Sequence, residues 1–379
     1  MRTVRSRPQG TKLLGLCVVI GAAVLLASCS IGTQVSAGHY RAKPRSTQRS
    51  TVGRPSRSTV AGSTGRVGSK ATLGSSAAQP SVAALALPTP TALQAFGAPA
   101  LAGEGVWTPA GRSVDGIKAV YETTLVPPGG TQPAGIAWMD TRLLSARLYS
   151  GSMSPGGGPY RYTAAIQPAQ AATLVAAFNG GFVMNVAGGG YYTEGRMIYP
   201  LRPGAASLVI YSGGGVNVGA WGTDVTMTPN VVSVRQNLVP LVVAGQPSAQ
   251  AASPNWQAWG ATCGATSCAA SVPGIEHQWR SGVGITANGA LVYVQGPALD
   301  PLQLAQLLVR AGVVRGMELD INPDWPVFAT YDPPSPGGLA APANGRKLLA
   351  STVQGPWTFF EPWWARDFIT MSARTAAPG

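Results

Sequence analysis

No acidic residue occurs in the first 103 of the 379 residues of this chain; the first is Glu104. That stretch holds 12 of the 27 Lys and Arg, so the formal charge of +13 belongs to the amino-terminal part and the remainder is nearly neutral. A neutral remainder argues against nucleic acid as a partner, which needs a basic face on the folded domain. Histidine and cysteine are scarce, at two and four. Cys263 and Cys268 have no second cysteine pair or nearby histidine cluster to complete a zinc site. There is no serine nucleophile elbow, no zinc-binding histidine pair, and no phosphate-loop lysine after a glycine run, so those hydrolase and nucleotide chemistries find no support. Long apolar runs are missing too: residues 13–27 form the one candidate, and it is short for a membrane span.

That run follows Arg2, Arg5, Arg7 and Lys12, the layout of a secretory signal. It ends Leu26-Ala27-Ser28-Cys29, which resembles a bacterial lipobox. The resemblance implies that residues 1–29 are a signal peptide and that Cys29 is lipidated, anchoring the chain to the outer face of the cytoplasmic membrane. The alternative is an uncleaved anchor with an incidental cysteine. Residues 30–103 are rich in Ser, Thr, Gly, Pro and basic residues and are expected to be a disordered stalk. As a flexible coil, about 70 residues span roughly 45–50 Å. Its charge suits anionic lipids or wall polymers, or it is simply a solvated linker. In an exported chain the close pair Cys263 and Cys268 suggests a disulfide, whose short loop would mainly fix local shape.

Residues 104–374 suffice for one large domain, followed by a tail at 375–379. Many glycines and short alternating apolar runs predict a sheet-rich α+β fold of mixed sheets with a few helices. Strands are expected at 135–140 and 145–149, with a hairpin over 207–211 and 216–218. A helix is expected over 168–177 from its proline start and alanine-rich body. A stronger one begins at Asp300-Pro301, with the carboxylate as N-cap; Leu304, Leu307, Leu308 and Ala311 supply its apolar face and Gly312 ends it. Flanked by strands 290–295 and 313–321, it predicts one β-α-β unit whose strands run parallel if they share a sheet. Ligands tend to bind at the carboxyl edge of such a sheet, where Glu318 and Asp320 fall. A period of two puts both carboxylates on one face and Met317 and Leu319 on the other.

Paired carboxylates at a strand end suit glycosyl transfer, one protonating a leaving oxygen while another base or nucleophile works at the anomeric carbon. A phosphodiester leaving group already bears charge and needs cationic stabilisation more than protonation. Arg280 presents a planar fork for that purpose. The plainer reading makes Glu318 and Asp320 surface ion-pair partners of Arg310 or Arg315. Asn179-Gly180-Gly181 is either a turn former or a donor to a sugar hydroxyl or phosphate. Glu194, after Gly188-Gly189-Gly190, Tyr191 and Tyr192, is a third acid candidate on a flexible pocket wall. His277, three residues before Arg280, is a structural histidine or a proton donor. Trp325, Trp357, Trp363 and Trp364 either stack on sugar rings or cover the core. Asp320, Asn322 and Asp324 have the spacing of the first calcium-loop ligands, but Trp325 replaces the loop glycine and Tyr331 its last glutamate. No pattern in the chain calls for a cofactor, and the spacing of Asp320, Asn322 and Asp324 leaves a divalent cation there as an open alternative.

Asn179-Gly180-Gly181-Phe182, Arg280-Ser281-Gly282-Val283-Gly284 and Leu319-Asp320 together resemble the phosphodiester glycosidase family over residues 135–331. The resemblance implies hydrolysis of a sugar-1-phosphodiester in the cell envelope. On the matching segments Arg280 and Ser281 would bind the phosphodiester, Asn179, Gly180 and Gly181 would hold the substrate, and Asp320 would be catalytic; the residue reading above adds Glu194 to the substrate site and Glu318 and His277 to the catalytic groups. Where the family has a glycine-rich turn after the aspartate, this chain has Ile321-Asn322-Pro323-Asp324-Trp325, which alters a pocket wall. The competing function is a non-catalytic lipoprotein that binds or scaffolds wall glycan on the same fold.

Overall fold

The structure is a computed structural model that describes residues 85–253, 259 and 277–374. The expected signal peptide, the expected lipid site at Cys29, most of the expected stalk, the Cys263 and Cys268 pair and the tail lie outside the described residues. No described helix is long and apolar enough to cross a membrane. In chain order the strands are β1 (Thr108–Val114), β2 (Ile117–Leu125), β3 (Ala134–Met139), β4 (Leu144–Tyr149), β5 (Leu174–Asn179), β6 (Tyr191–Thr193), β7 (Arg196–Tyr199), β8 (Ala206–Tyr211) and β9 (Val216–Ala220). They continue as β10 (Val231–Gln236), β11 (Val242–Val243), β12 (Gln246–Pro247), β13 (Gln278–Thr286), β14 (Leu291–Leu299), β15 (Val313–Ile321), β16 (Phe328–Tyr331), β17 (Gly345–Lys347) and β18 (Phe368–Ala373). The α-helices are α1 (Pro168–Ala171) and α2 (Pro301–Arg310).

An eight-stranded sheet runs β1-β2-β3-β14-β13-β15-β11-β12, and two five-stranded sheets run β17-β16-β5-β18-β4 and β7-β6-β10-β8-β9. All ladders between these strands are antiparallel, where mixed sheets were expected. The domain is therefore mostly β, with helices a minor part of the α+β description. One face of the large sheet joins both smaller sheets in a common core, to which Val283, Tyr293, Met317, Leu319, Phe178, Phe328 and Leu208 contribute. Its other face is closed by α2, with Leu304, Leu307 and Leu308 fully buried against Ile136, Val292 and Val294. Each such leucine contributes roughly 1.5–3 kcal/mol by leaving water.

The helix at Asp300 forms as its sequence dictates. Asp300 Oδ1 accepts from Gln303 N at 2.6 Å, the Gln303 side chain caps Asp300 N in return, and Gly312 leaves the helix at φ +87°. The strands flanking α2 share a sheet without pairing. A tight turn with Gly289 at φ +92° folds β13 back against β14, so β13 occupies the edge that β15 would take. The chain crosses over β13 on α2, and β15 then pairs with the far side of β13.

Two expectations need correction. The helix over 168–177 stops at Ala171, and residues 174–179 form β5, buried throughout between β16 and β18. Its alanines read as helix formers, yet Ala176 packs into one core and Ala177 into the one behind it, where small side chains let layers approach. Residues 85–103, assigned to the stalk, pack on the domain: Leu87 is buried with its N–H on Asp140 Oδ2 at 2.7 Å, and Arg310 lies 4.1 Å over the Phe96 ring. The apolar residues Leu85, Leu87, Leu93 and Phe96 are the signal that composition averaged over the whole stretch conceals.

Candidate active site

β15 holds both carboxylates, but it does not hold them together. Arg280 stands opposite Ile321 while Gly282 stands opposite Glu318, so β15 carries one more residue than β13 over this stretch. Such an extra residue breaks the alternation of side chains. Glu318 turns to the α2 side, where its Oε1 receives Arg280 Nη1 at 2.5 Å. Asp320 turns to the side of the smaller sheets, where its Oδ2 receives Arg366 Nη2 at 2.6 Å. The single face expected for the pair is thus replaced by two separate ion pairs.

The Arg280 pair is sealed. Arg280 and Glu318 are 1% and 0% exposed, and Arg280 also donates to Leu299 O at 2.8 Å and Trp259 O at 3.3 Å. Burial pushes the Glu318 carboxyl up to about 7 against the pull of Arg280. Glu318 Oε2 has no hydrogen-bond partner among the described residues, as fits a carboxyl that keeps its proton easily. His277 lies at the same end, its Nε2 3.7 Å from Asp300 Oδ2 at the N-cap of α2.

On the opposite face a second polar cluster is built around Asn179. Its Oδ1 accepts from Tyr293 Oη at 2.7 Å and Val327 N at 3.1 Å, while its Nδ2 donates to Gly180 O at 2.9 Å and Ser281 Oγ at 3.0 Å. Ser281 Oγ in turn receives Asp320 N at 3.2 Å. Asn179 therefore uses all four of its hydrogen-bonding sites internally and ties β5, β13, β14 and the entry to β16 together. Neither Gly180 nor Gly181 has positive φ, so the turn former expected at Asn-Gly-Gly is absent. Close approach explains them. A Cβ on Gly180 would lie 2.2 Å from Asp367 Oδ2, and one on Gly181 would lie 2.7 Å from Asn237 Oδ1 and 2.9 Å from Arg235 Cζ.

These neighbours were not singled out from the sequence. Arg235 and Asp367 form a fully buried pair at 2.8 Å, and Asn237 donates to the carbonyls of Glu318 and Leu319 at 3.0 Å each. Arg366 and Asp367 are adjacent at the entry to β18, so one binds Asp320 and the other Arg235. The adjacency of opposite charges after Trp363-Trp364 is the signal that was available. Glu194 lies elsewhere: its carboxylate caps Arg161 N at 3.0 Å and Tyr162 N at 2.9 Å. The glycines before it are packed, since a Cβ on Gly189 would lie 2.4 Å from Gln236 Cβ and Gly190 N donates to Gln236 Oε1 at 2.7 Å. The wall expected to be flexible is held on both sides.

Burial pushes the Asp320 carboxyl up to about 7, opposed chiefly by Arg366. Arg366 lies 4.5 Å over the Trp325 ring, which leans on Trp364 at 5.5 Å. Arg366 and Trp325 line a cavity of about 360 Å³ that also takes in Ser154 and Val183-Met184-Asn185, the residues directly after the Asn-Gly-Gly-Phe motif. Trp325 lines the cavity and packs against the core behind it, and Trp364 is buried, as core cover requires, while Trp357 and Trp363 are 41% and 65% exposed. The calcium spacing leads nowhere common: Asp320 is held by Arg366 and Ile321 N, and Asn322 Oδ1 accepts from Asp324 N at 2.8 Å.

No protein-family model matches the chain, and no curated protein matches it. Among solved structures it is similar to the zebrafish N-acetylglucosamine-1-phosphodiester alpha-N-acetylglucosaminidase catalytic domain, auto-inhibited by its pro-peptide. That similarity has 15% identity over 71% of this chain and 88% of the other, with a TM-score of 0.41. A hypothetical protein from Synechocystis is similar over 70% of this chain and 64% of its own, with 12% identity and a TM-score of 0.36. Neither likeness carries residue roles across, and the chemistry rests on the geometry above.

Proposed function

We propose that the domain hydrolyses a sugar-1-phosphodiester in the cell envelope, at the cavity bounded by Arg366 and Trp325. The observation that carries the proposal is the Asp320–Arg366 pair, with Arg366 in the wall of that cavity and Asp320 buried behind it: a carboxyl pushed up to about 7 is poised to take and return a proton near neutral pH, beside a guanidinium suited to phosphate. In this reading the phosphate draws Arg366 onto its own oxygens and frees Asp320. Asp320 then takes a proton from water as the water oxygen bonds to the anomeric carbon. The bond from that carbon to the phosphate oxygen breaks, its electron pair stays with the phosphate, and Arg366 stabilises the departing monoester. The Asp320 proton passes to the phosphate or to solvent, so one water is consumed for each sugar released. Arg366 replaces Arg280 as the phosphate residue, because Arg280 is occupied behind the sheet. Glu318 and Asn179 then hold the frame.

A second reading, a non-catalytic wall-glycan module, is favoured by one observation: Asp320 is 2% exposed beneath Arg366. The two separate in an assay of free sugar released from a panel of glycosyl phosphodiesters by the purified chain. Asp320→Asn should lower kcat by about 100-fold or more with a smaller change in KM, as expected for a group acting in the transition state. Binding of glycan without any product from the panel would select the binding module.

A further inference from the structure

The cavity at Arg366 has two kinds of wall. On one side, Arg366 Nε and Ser154 Oγ are buried and have no hydrogen-bond partner among the described residues, although the two residues are only 8% and 5% exposed. Buried donors without partners are uncommon in folded proteins and are satisfied when a ligand supplies acceptor oxygens. On the other side the lining is apolar and open. Met153, Val183 and Tyr199 line the cavity and are 76%, 37% and 38% exposed, and Pro155 lines it too. Trp363, 65% exposed, adjoins this rim, since its carbonyl accepts from Ser152 Oγ at 2.9 Å.

From this division we infer that the site takes an amphipathic phosphate ester: phosphate oxygens at Arg366 and Ser154, and an alkyl chain on the aglycone lying along Met153, Pro155, Val183 and Tyr199. The inference rests on the proposed phosphodiester site and adds the class of its leaving group. A polar aglycone would satisfy the buried donors equally well but would leave the apolar rim in water. An alkyl chain covers it and gains by the area removed from solvent. The apolar residues and Arg366 line one cavity, so the head and chain of a single molecule can be held there together.

Calorimetric titration of the full chain with inorganic phosphate, methyl phosphate and monomeric octyl phosphate tests this directly. Affinity should rise roughly fourfold for each methylene covered, so roughly 250-fold in total when four are covered. Met153→Ser combined with Tyr199→Ser should remove most of that gain while methyl phosphate binding stays within about twofold. Arg366→Gln should weaken both esters. Octyl phosphate binding no tighter than methyl phosphate overturns the inference, and this arm uses unaltered protein. If short polar glycosyl phosphodiesters are hydrolysed while the octyl chain gains nothing, the leaving-group class is wrong and the hydrolase stands. If the octyl gain is present and no phosphodiester is cleaved, the hydrolase falls and the amphipathic site stands. Absence of binding by every phosphate overturns both.

Discussion

Replacing Arg280 separates a frame residue from a ligand residue most sharply. Arg280→Met keeps much of the side-chain volume but removes the cation opposite Glu318, together with the donors to Leu299 O and Trp259 O. Breaking one partner out of a fully buried pair costs about 3–5 kcal/mol. Glu318 can soften that loss by keeping its proton, because its carboxyl is already pushed up to about 7. The lower end of the range, about 3 kcal/mol, is therefore expected at pH 6, with a larger loss at pH 8 where the stranded carboxyl must ionise. For a domain of this size that is a fall in Tm of roughly 6–12 °C. Arg280→Met with Glu318→Leu removes both charges and should recover most of the loss, to within about 1–2 kcal/mol of the parent. Urea unfolding and thermal melting of the single and double variants measure each quantity. The reasoning fails if Arg280→Met melts within about 2 °C of the parent yet loses phosphate esters selectively, for then Arg280 is a ligand residue.

Gly180→Ala tests the close approach beneath the Asn-Gly-Gly motif. Its Cβ would sit 2.2 Å from Asp367 Oδ2 and 2.7 Å from Asp367 O, the carbonyl that Gly180 N already binds at 2.8 Å, so β18 must move or the Arg235–Asp367 pair must open. A loss of about 2–5 kcal/mol is expected by denaturant titration, against about 0.5 kcal/mol or less for Gly213→Ala, whose Cβ meets nothing within 4 Å; equal midpoints would sink the packing argument. The pH dependence of stability follows from Glu122, Glu318 and Asp320, all raised to about 7, chiefly by burial. Between about pH 4 and 7 the native state holds protons that the unfolded chain has released, so their contribution is complete below pH 4 and is lost as pH rises through 7. Tm should be higher at pH 5 than at pH 8, and a rise over that interval would contradict the assigned shifts.

Much of the frame was legible because local chemistry and tertiary packing agree there. Asp300, Pro301, Gln303 and Gly312 specify α2 by capping alone, and the apolar stripe of Leu304, Leu307 and Leu308 says which face is buried. The strand 313–321 and the hairpin at Gly213-Gly214-Gly215 follow from alternation and from the need for positive φ at Gly214. β5 was not legible, because alanine favours a helix wherever nothing else decides, and here two cores on opposite sides of one strand decide.

The site fails to be legible for a different reason: its geometry hangs on a single residue. A regular β15 would have placed Asp320 behind the sheet with Glu318 and Arg280, as the period of two implies. The extra residue between Glu318 and Ile321 sends Asp320 through to the side of Arg366 and Asp367 instead. Strand register depends on the partner strand, and nothing in residues 313–321 themselves reports how β13 pairs with them. The same dependence hides Arg366, whose importance comes only from what β15 delivers to it. The motif residues Asn179, Gly180 and Ser281 were visible because they form the joint between the sheets, where side-chain size and hydrogen-bonding capacity are fixed by contact. Such a motif can therefore mark the joint on which a site is mounted, while the residues of the proposed site, Arg366, Trp325 and Ser154, line a cavity one step beyond it.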